Sequence, residues 1–513
     1  MDAAAVRPRA VAFLLAAAAL AAGGWFLFRP RDDIASSPRP WVNHDVAQLL
    51  VLGRQFAAGD RPYLDWIDPN LPAVHVASHM VIRLERETGI RAVYLYHAGV
   101  LLLALLGCWV LAALTSPLGT WRAVAVITAY LGIVFCPTIP ATSDFGQREH
   151  ILTLVLLPWL VWRTRLGAEP SPVLRGLLAF LLGWWGGAKL VYLAVPLAVE
   201  ALRWRTGPRL RALEAVCFTA GLAASVVLCR FLWPGALTAF VTTVLPLLSP
   251  TRPGAAFTIP LRGFLGQPQL LTGAAGTAVL ALLLWRARRR GLAGAAECRA
   301  WGAATVAAAI AMVIQRKGFA YHAIPLTGIV VMGAILALCR VTGGRVAATA
   351  AAAFAVLCFA SFRDPGRFGL EDVTPLTALA RPGEAVMVCS TDVLYSRDAD
   401  HLGLRLAGPW GIHFALAGVL AEPDPGRRAA ALAAYRARMT DSISRLHCGL
   451  VLVREVPVPG CGTLEDALRP AGGFLPPGPW RRLAPADVQR RFGGDGAWVV
   501  YRRGPGIGLR GGI

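Results

Sequence analysis

Lysine is nearly missing from this 513-residue chain: Lys189 and Lys317 are the two present, and the rest of its 51 Lys and Arg residues are arginine. Acids are scarce as well, 30 in all, and charged residues of both signs make up 16% of the sequence. Soluble domains carry closer to a quarter. The ten cysteines form no C-x-x-C pair and no Cys/His cluster at zinc spacing, which argues against a structural zinc site and a dithiol redox motif. No internal repeat is evident. No basic segment is interleaved with aromatics in a base-stacking pattern, so the formal charge of +21 does not point to nucleic acid.

What the chain has in abundance is apolar sequence, 56% of its residues. Apolar segments at 10–28, 96–114, 121–137, 150–163, 175–200, 212–233, 269–286, 300–314, 323–340 and 345–361 approach or exceed the length that crosses a hydrocarbon core about 30 Å thick. The fold class is therefore mainly α, a polytopic helical membrane bundle. Arg7 and Arg9 precede the first segment and put the N-terminus in the cytoplasm, with that segment as an uncleaved anchor.

Segment 175–200 is flanked by arginines at both ends, which a single span would set on opposite sides of the membrane. Gly183, Gly186 and Gly187 weaken a continuous helix there. The segment reads as two short half-helices that enter and return, with Lys189 near the bend. Counting it as two gives about eleven membrane segments. Arg122, the 286–290 run, Arg299, Arg340 and Arg345 then all fall on the cytoplasmic side, and the C-terminus lies outside.

This divides the chain into a membrane module, 1–362, whose first external loop is 29–95, and an extracytoplasmic region, 363–513. In the latter, Ala385–Ser390, Gly449–Val453 and Ala497–Tyr501 read as strands and 427–446 as a helix, giving a small α/β domain. In the first loop, apolar positions 46, 49, 50, 52 and 56 fit an amphipathic helix with Asn43 as its cap, and a second helix follows through 73–87. Both are expected at the membrane interface, as a rim over the bundle.

The polar residues gather in three places. His44 and Asp45 open the first loop's helix. Asp144-Phe-Gly-Gln-Arg148-Glu149-His150 stands directly before an apolar span. Helix capping would account for the acids there, but cations at a helix N-terminus oppose the macrodipole. The third cluster is Gln315-Arg-Lys317-Gly-Phe-Ala-Tyr321-His322. A charge at bilayer depth costs roughly 2.5–3.5 kcal/mol, so both lysines suggest a functional cavity. The plainer readings are an ion pair with an acid on another span for Lys189, and snorkelling for Lys317. Asp45, Asp144 and Glu149 offer carboxylates for general-base work, while Arg148, His150, Lys189, Lys317, Tyr321 and His322 offer groups suited to a phosphate. A base and a phosphate clamp in a cavity open to lipid fit group transfer from a lipid phosphate.

At this point the chain resembles the GT-C superfamily of integral-membrane glycosyltransferases, which use polyprenyl-phosphate sugars. The resemblance is architectural over most of 1–365. It rests on the long first loop with an early acid, the acid in the next external loop, the trailing external domain, and Gly59-Asp-Arg-Pro-Tyr63-Leu-Asp65 with Asp68-Pro-Asn-Leu-Pro72. It departs from the superfamily in lacking a doubled acid, since His44 and Val46 flank Asp45.

The resemblance implies a multi-pass protein of a bacterial inner membrane working in glycan biosynthesis of the cell envelope. Asp45 would take the role of catalytic acid, and Asp144 or Glu149 that of the second-loop acid. Direct, inverting displacement at the sugar C1 would follow, from a polyprenyl-phosphate donor to a glycan, lipid or protein acceptor. Lys189, Lys317, Arg148 and His322 or His150 would hold the departing phosphate. A Mg²⁺ or Mn²⁺ ion between Asp45 and Asp144 is compatible with these ligands, although other members manage without one. The competing expectation is a transporter or flippase for a lipid-linked or anionic solute, suggested by the broken segment at Lys189.

Overall fold

The computed structural model describes residues 3–28, 42–135, 144–164, 169–206, 212–245, 261–315, 320–363, 376–389, 395–408, 424–454, 457–458, 462–463, 465, 475–476, 478–483 and 498–504. Apolar runs become helices here because a backbone withdrawn from water must pair its N–H and C=O groups within the segment. In chain order they are α1 (Ala3–Phe28), the amphipathic pair α2 (His44–Ala57) and α3 (Pro72–Thr88), α4 (Ala92–Thr115), α5 (Thr120–Phe135), α6 (Arg148–Arg163), α7 (Pro172–Ala188), α8 (Ala194–Thr206), α9 (Ala212–Leu232), α10 (Pro268–Arg289), α11 (Ala295–Gln315), α12 (Ile324–Val341) and α13 (Gly344–Arg363).

Five stretches among the described residues are long and apolar enough to cross a membrane: Ala92–Leu118, Ala212–Leu232, Pro268–Arg289, Ala295–Gln315 and Ala320–Val341. The chain is a multi-pass membrane protein with a mainly helical bundle. With α7 and α8 counted separately, α1 and α4 to α13 supply eleven bundle helices among the described residues.

The segment breaks at Lys189, where the sequence reading puts the bend, but the glycines before it have a different reason. α7 runs unbroken through Gly183, and the chain leaves the helix at Lys189 (φ −146°, ψ 73°) before a 3₁₀ turn, Leu190–Leu193, leads into α8. Gly183 serves close approach instead: a Cβ there would stand 2.1 Å from the Phe218 carbonyl oxygen of α9. Gly221 of α9 is equally constrained, 2.0 Å from the Phe180 oxygen. The two arms are also longer than half-helices. At 1.5 Å per residue, the 17 residues of α7 rise about 25 Å and the 13 of α8 about 20 Å. α7 packs against α9, and α8 against α11.

α2 is more enclosed than a surface helix. Asn43 does cap α2, but the helix is buried from Val46 through Gly53 and again at Gln55 and Phe56. Its polar face meets the C-terminal region instead of lipid headgroups. Gln55 donates from Nε2 to the Leu406 oxygen at 2.9 Å, and Arg54 pairs with both Asp400 and Glu85. A surface helix would leave the Arg54 guanidinium and the Gln55 amide N–H to water; here protein groups accept from them.

The C-terminal region builds a five-stranded sheet. Its strands are β1 (Ala385–Cys389), β2 (Arg405–Ala407), β3 (Leu450–Arg454), β4 (Trp480–Arg482) and β5 (Trp498–Arg503), in the order β2-β1-β3-β5-β4. β1 is parallel to β2 and β3, while β5 is antiparallel to β3 and β4. The long helix Pro425–Arg445 precedes β3, starting from an Asp424 side chain that accepts the Arg427 N–H. The short helix Ser396–His401 lies on α2, and Arg445 reaches Asp60 at 3.2 Å. The described part of the sheet region is thus held against the helix whose first turn carries Asp45.

Candidate active site

Asn43 fixes the start of α2. Its side-chain oxygen accepts from the N–H groups of Asp45 (2.8 Å) and Val46 (3.3 Å), satisfying donors that a helix start leaves open. Asp45 therefore stands in the first turn, where the helix dipole favours an acid. Gln147, the residue before α6, donates from Nε2 to Asn43 Oδ1 and to Asp45 Oδ2, both at 2.8 Å. One uncharged side chain so joins two loops about a hundred residues apart in sequence.

The turn Asp144–Gln147 aims the start of α6. The Gln147 N–H donates to the Asp144 carbonyl oxygen at 3.1 Å, and Gly146 takes φ 80°, a conformation that favours glycine. The Gly146 N–H donates to His150 Nδ1 at 3.0 Å, and the Tyr96 hydroxyl donates to the Gly146 oxygen at 2.6 Å. His150 is fully buried against Phe145. It holds this turn, a different place from the phosphate ligand expected of it.

Glu149 is closed off from solvent and receives the Lys189 ammonium at 2.7 Å, with His322 Nε2 at 3.5 Å. Lys189 is thus paired with an acid from another helix, the plainer of its two sequence readings. The break after α7 delivers it: leaving the helix at Lys189 turns the side chain towards the start of α6. The Tyr192 hydroxyl donates to the His322 carbonyl oxygen, and Gln315 Nε2 lies 3.2 Å from that hydroxyl. The stretches around 149, 189 and 322 are one assembly. Lys317 lies outside the described residues.

Arg148 differs from Lys189. Among the described residues it makes no hydrogen bond or ion pair, and its Nε is buried without an acceptor. The groups whose charges it feels are Glu149, Tyr321, Asp45 and Asp68. Tyr321 in turn lies in the fields of Asp45, Glu149, Arg148 and Asp144. Asp45, Asp144, Arg148, Glu149, Lys189, Tyr321 and His322 are therefore brought to one end of the bundle, with His150 behind them.

The two acids beside Arg148 differ in access. The Asp45 side chain keeps 16% of its surface open, whereas that of Glu149 keeps none. A proton on an incoming reactant can reach Asp45; Glu149 is occupied as a counter-charge. His44 Nε2 stands 3.6 Å from Asp45 Oδ1, and burial draws this imidazole below its ordinary value against the pull of Asp45.

Sequence reasoning did not single out Gln147, Tyr192 or Asp68 as site residues. Asp68 lies 3.4 Å from His75 Nε2, and both side chains are fully buried. Burial works against its ionisation, but His75, the Asn70 N–H and the charge of Arg148 outweigh it and hold the carboxyl below its ordinary value. Its place in an Asp-Pro-Asn turn was a visible signal, although that signal pointed to turn formation. Gln147 and Tyr192 carry no charge and stood out from nothing around them.

Among the described residues, no three His, Cys, Asp or Glu side chains gather as a metal ligand set. One oxygen of Asp45 already accepts from Gln147, so the described groups fit a proton acceptor better than a dedicated metal cage.

Sequence comparison finds no matching family model and no matching curated protein. The fold does have relatives. ArnT from Cupriavidus metallidurans in the apo state superposes with a TM-score of 0.56 at 15% identity, covering 96% of this chain and 99% of ArnT. The same protein bound to undecaprenyl phosphate gives 0.52 at 14% identity, covering 86% and 92%. The arabinofuranosyltransferase AftD from Mycobacteria also matches, at a TM-score of 0.45 and 16% identity, over 98% of this chain and 40% of AftD. The chain shares the fold of ArnT.

Proposed function

We propose that this protein is a membrane glycosyltransferase that moves a sugar from a polyprenyl-phosphate donor to an acceptor hydroxyl, on the extracytoplasmic side of a bacterial inner membrane. The observation that carries the reading is Arg148, a guanidinium with no hydrogen-bond or ion-pair partner among the described residues, in the field of the accessible Asp45 carboxylate. A half-buried guanidinium whose Nε lacks an acceptor still has donors to satisfy, which favours an anionic ligand that completes the site. The fold shared with ArnT, which has been solved with undecaprenyl phosphate, supports a lipid phosphate as that ligand.

The chemistry follows from the positions. Asp45 accepts the proton of the acceptor hydroxyl as its oxygen attacks the sugar C1. The C1–O bond to phosphate breaks, its electron pair leaves on the phosphate oxygen, and configuration at C1 inverts. Arg148 meets that growing charge, assisted by Lys317, Tyr321 and the Lys189 side of the Glu149 pair. Preorganised cations stabilise charge that develops during reaction, and this is commonly the largest single contribution to rate. Gln147 holds the Asp45 carboxylate in register. Asp144 acts through the turn it forms and its field at Tyr321. The C-terminal region, 363–513, serves as an acceptor-binding domain, and its described helix Ser396–His401 lies on α2.

The test is transfer from radiolabelled polyprenyl-phosphate sugars by purified protein, comparing wild type with Asp45→Asn. Transfer by wild type, and its loss in a variant that still folds, supports the reading. Solute flux across vesicles without any transfer would replace it with transport.

A further inference from the structure

The end of the bundle opposite Arg148 contains a second place built for an anion. A cavity of about 220 Å³ opens between the start of α5 and the ends of α4 and α12, with Arg122 and Arg340 among apolar walls that include Leu118, Val126 and Leu336. The two guanidiniums are not equivalent. Arg340 is 2.9 Å from Glu297 and also donates to the Leu292 carbonyl oxygen. Among the described residues the Arg122 side chain makes no hydrogen bond or ion pair, so the cavity holds a positive charge with no counter-charge among them.

The surroundings set the level of this cavity relative to a bilayer. Trp121 and Trp285 are each about half exposed at this end, and Arg345 and Arg289 lie over their rings at 5.8 and 4.6 Å. Exposed tryptophans with arginines mark the headgroup level of a membrane. Arg290 donates to the Val341 oxygen at 3.2 Å, which brings another cation beside the end of α12. A ligand here meets cations at its polar end and apolar surface behind them.

We propose that this cavity binds the phosphodiester headgroup of an anionic phospholipid, between Arg122 and Arg340, with an acyl chain leaving over Leu118 and the exposed Leu292. Free phosphate would satisfy the same arginines but leave Leu292 uncovered, which favours the lipid. The site is independent of the transferase reading, since it lies at the other end of the bundle and uses none of its residues.

Native mass spectrometry of delipidated protein tests it, with phosphatidylglycerol, phosphatidylcholine and inorganic phosphate as separate probes. Wild type is expected to retain one phosphatidylglycerol at least tenfold more strongly than phosphatidylcholine. Arg122→Gln should lose that preference, and Leu118→Trp, which fills the cavity and leaves both arginines, should exclude the lipid. Arg148→Gln should retain it, which separates this site from the one at the other end. Melting curves identify any variant that fails to fold, and the remaining one carries the comparison. Equal retention of the two lipids by wild type, undiminished phosphatidylglycerol binding in both cavity variants, or phosphate displacing the lipid at equal concentration would each overturn the proposal.

Discussion

Where α2 meets α6, a few charges from distant stretches turn inward and leave the Arg148 side chain without a partner among the described residues; at the far end, arginines are plentiful and mostly tied down. There Arg163 pairs with Glu200, Arg175 with Glu214 at 3.3 Å, and Arg340 with Glu297, while Arg289 and Arg345 lie over tryptophan rings. The far-end cations explain themselves through those contacts and through the charge bias of membrane loops. Arg148 does not, and at the far end Arg122 is one arginine whose side chain has no partner among the described residues. Removing a paired cation should be felt as lost stability. Removing Arg148 or Arg122 should be felt as a lost ligand.

The largest effect that sharpens this contrast is on rate. Asp45→Asn should lower sugar transfer by roughly 10²- to 10⁴-fold, the range general-base catalysis supplies, with the melting temperature unchanged. Next is Glu149→Gln, which leaves Lys189 without its counter-charge. Breaking a buried pair costs about 3–5 kcal/mol, so thermal or denaturant unfolding should reveal a large loss. Glu149→Gln with Lys189→Met should recover part of it; a double variant as unstable as the single one would break the assignment of that pair.

Gly183→Val tests the seam between α7 and α9. Overpacking there should cost about 1–3 kcal/mol in the same unfolding assay. If the glycine instead served to weaken the helix, the substitution would be tolerated. The smallest effect belongs to the far end: Arg345→Gln removes an arginine stacked on exposed Trp121 and should change stability by about 0.5–1 kcal/mol.

The pattern of apolar runs, the Asn43 cap and the strands at 385–389, 450–454 and 498–503 were all legible in the sequence, because each depends on local periodicity or a local hydrogen bond. β2 and β4 were not, because three residues are too few to show an alternation. The glycines of α7 were visible, but their reason lies on α9, and no local pattern distinguishes a weak helix from a tight one. Within the site, the charged stretches identified themselves by standing where charge is expensive. Partnering did not: nothing in the chain order says that Glu149 takes Lys189 while its neighbour Arg148 takes no described residue. Nor does an amphipathic pattern say what covers the helix, which is how α2 came to be read as a surface rim.

Binding of labelled polyprenyl phosphate to wild type and Arg148→Gln probes the account where it is most exposed. A charge-assisted hydrogen bond is worth roughly 1.5–3 kcal/mol, so the variant should bind about 10- to 100-fold more weakly while melting no lower than wild type. Wild-type affinity in a folded Arg148→Gln protein would contradict it.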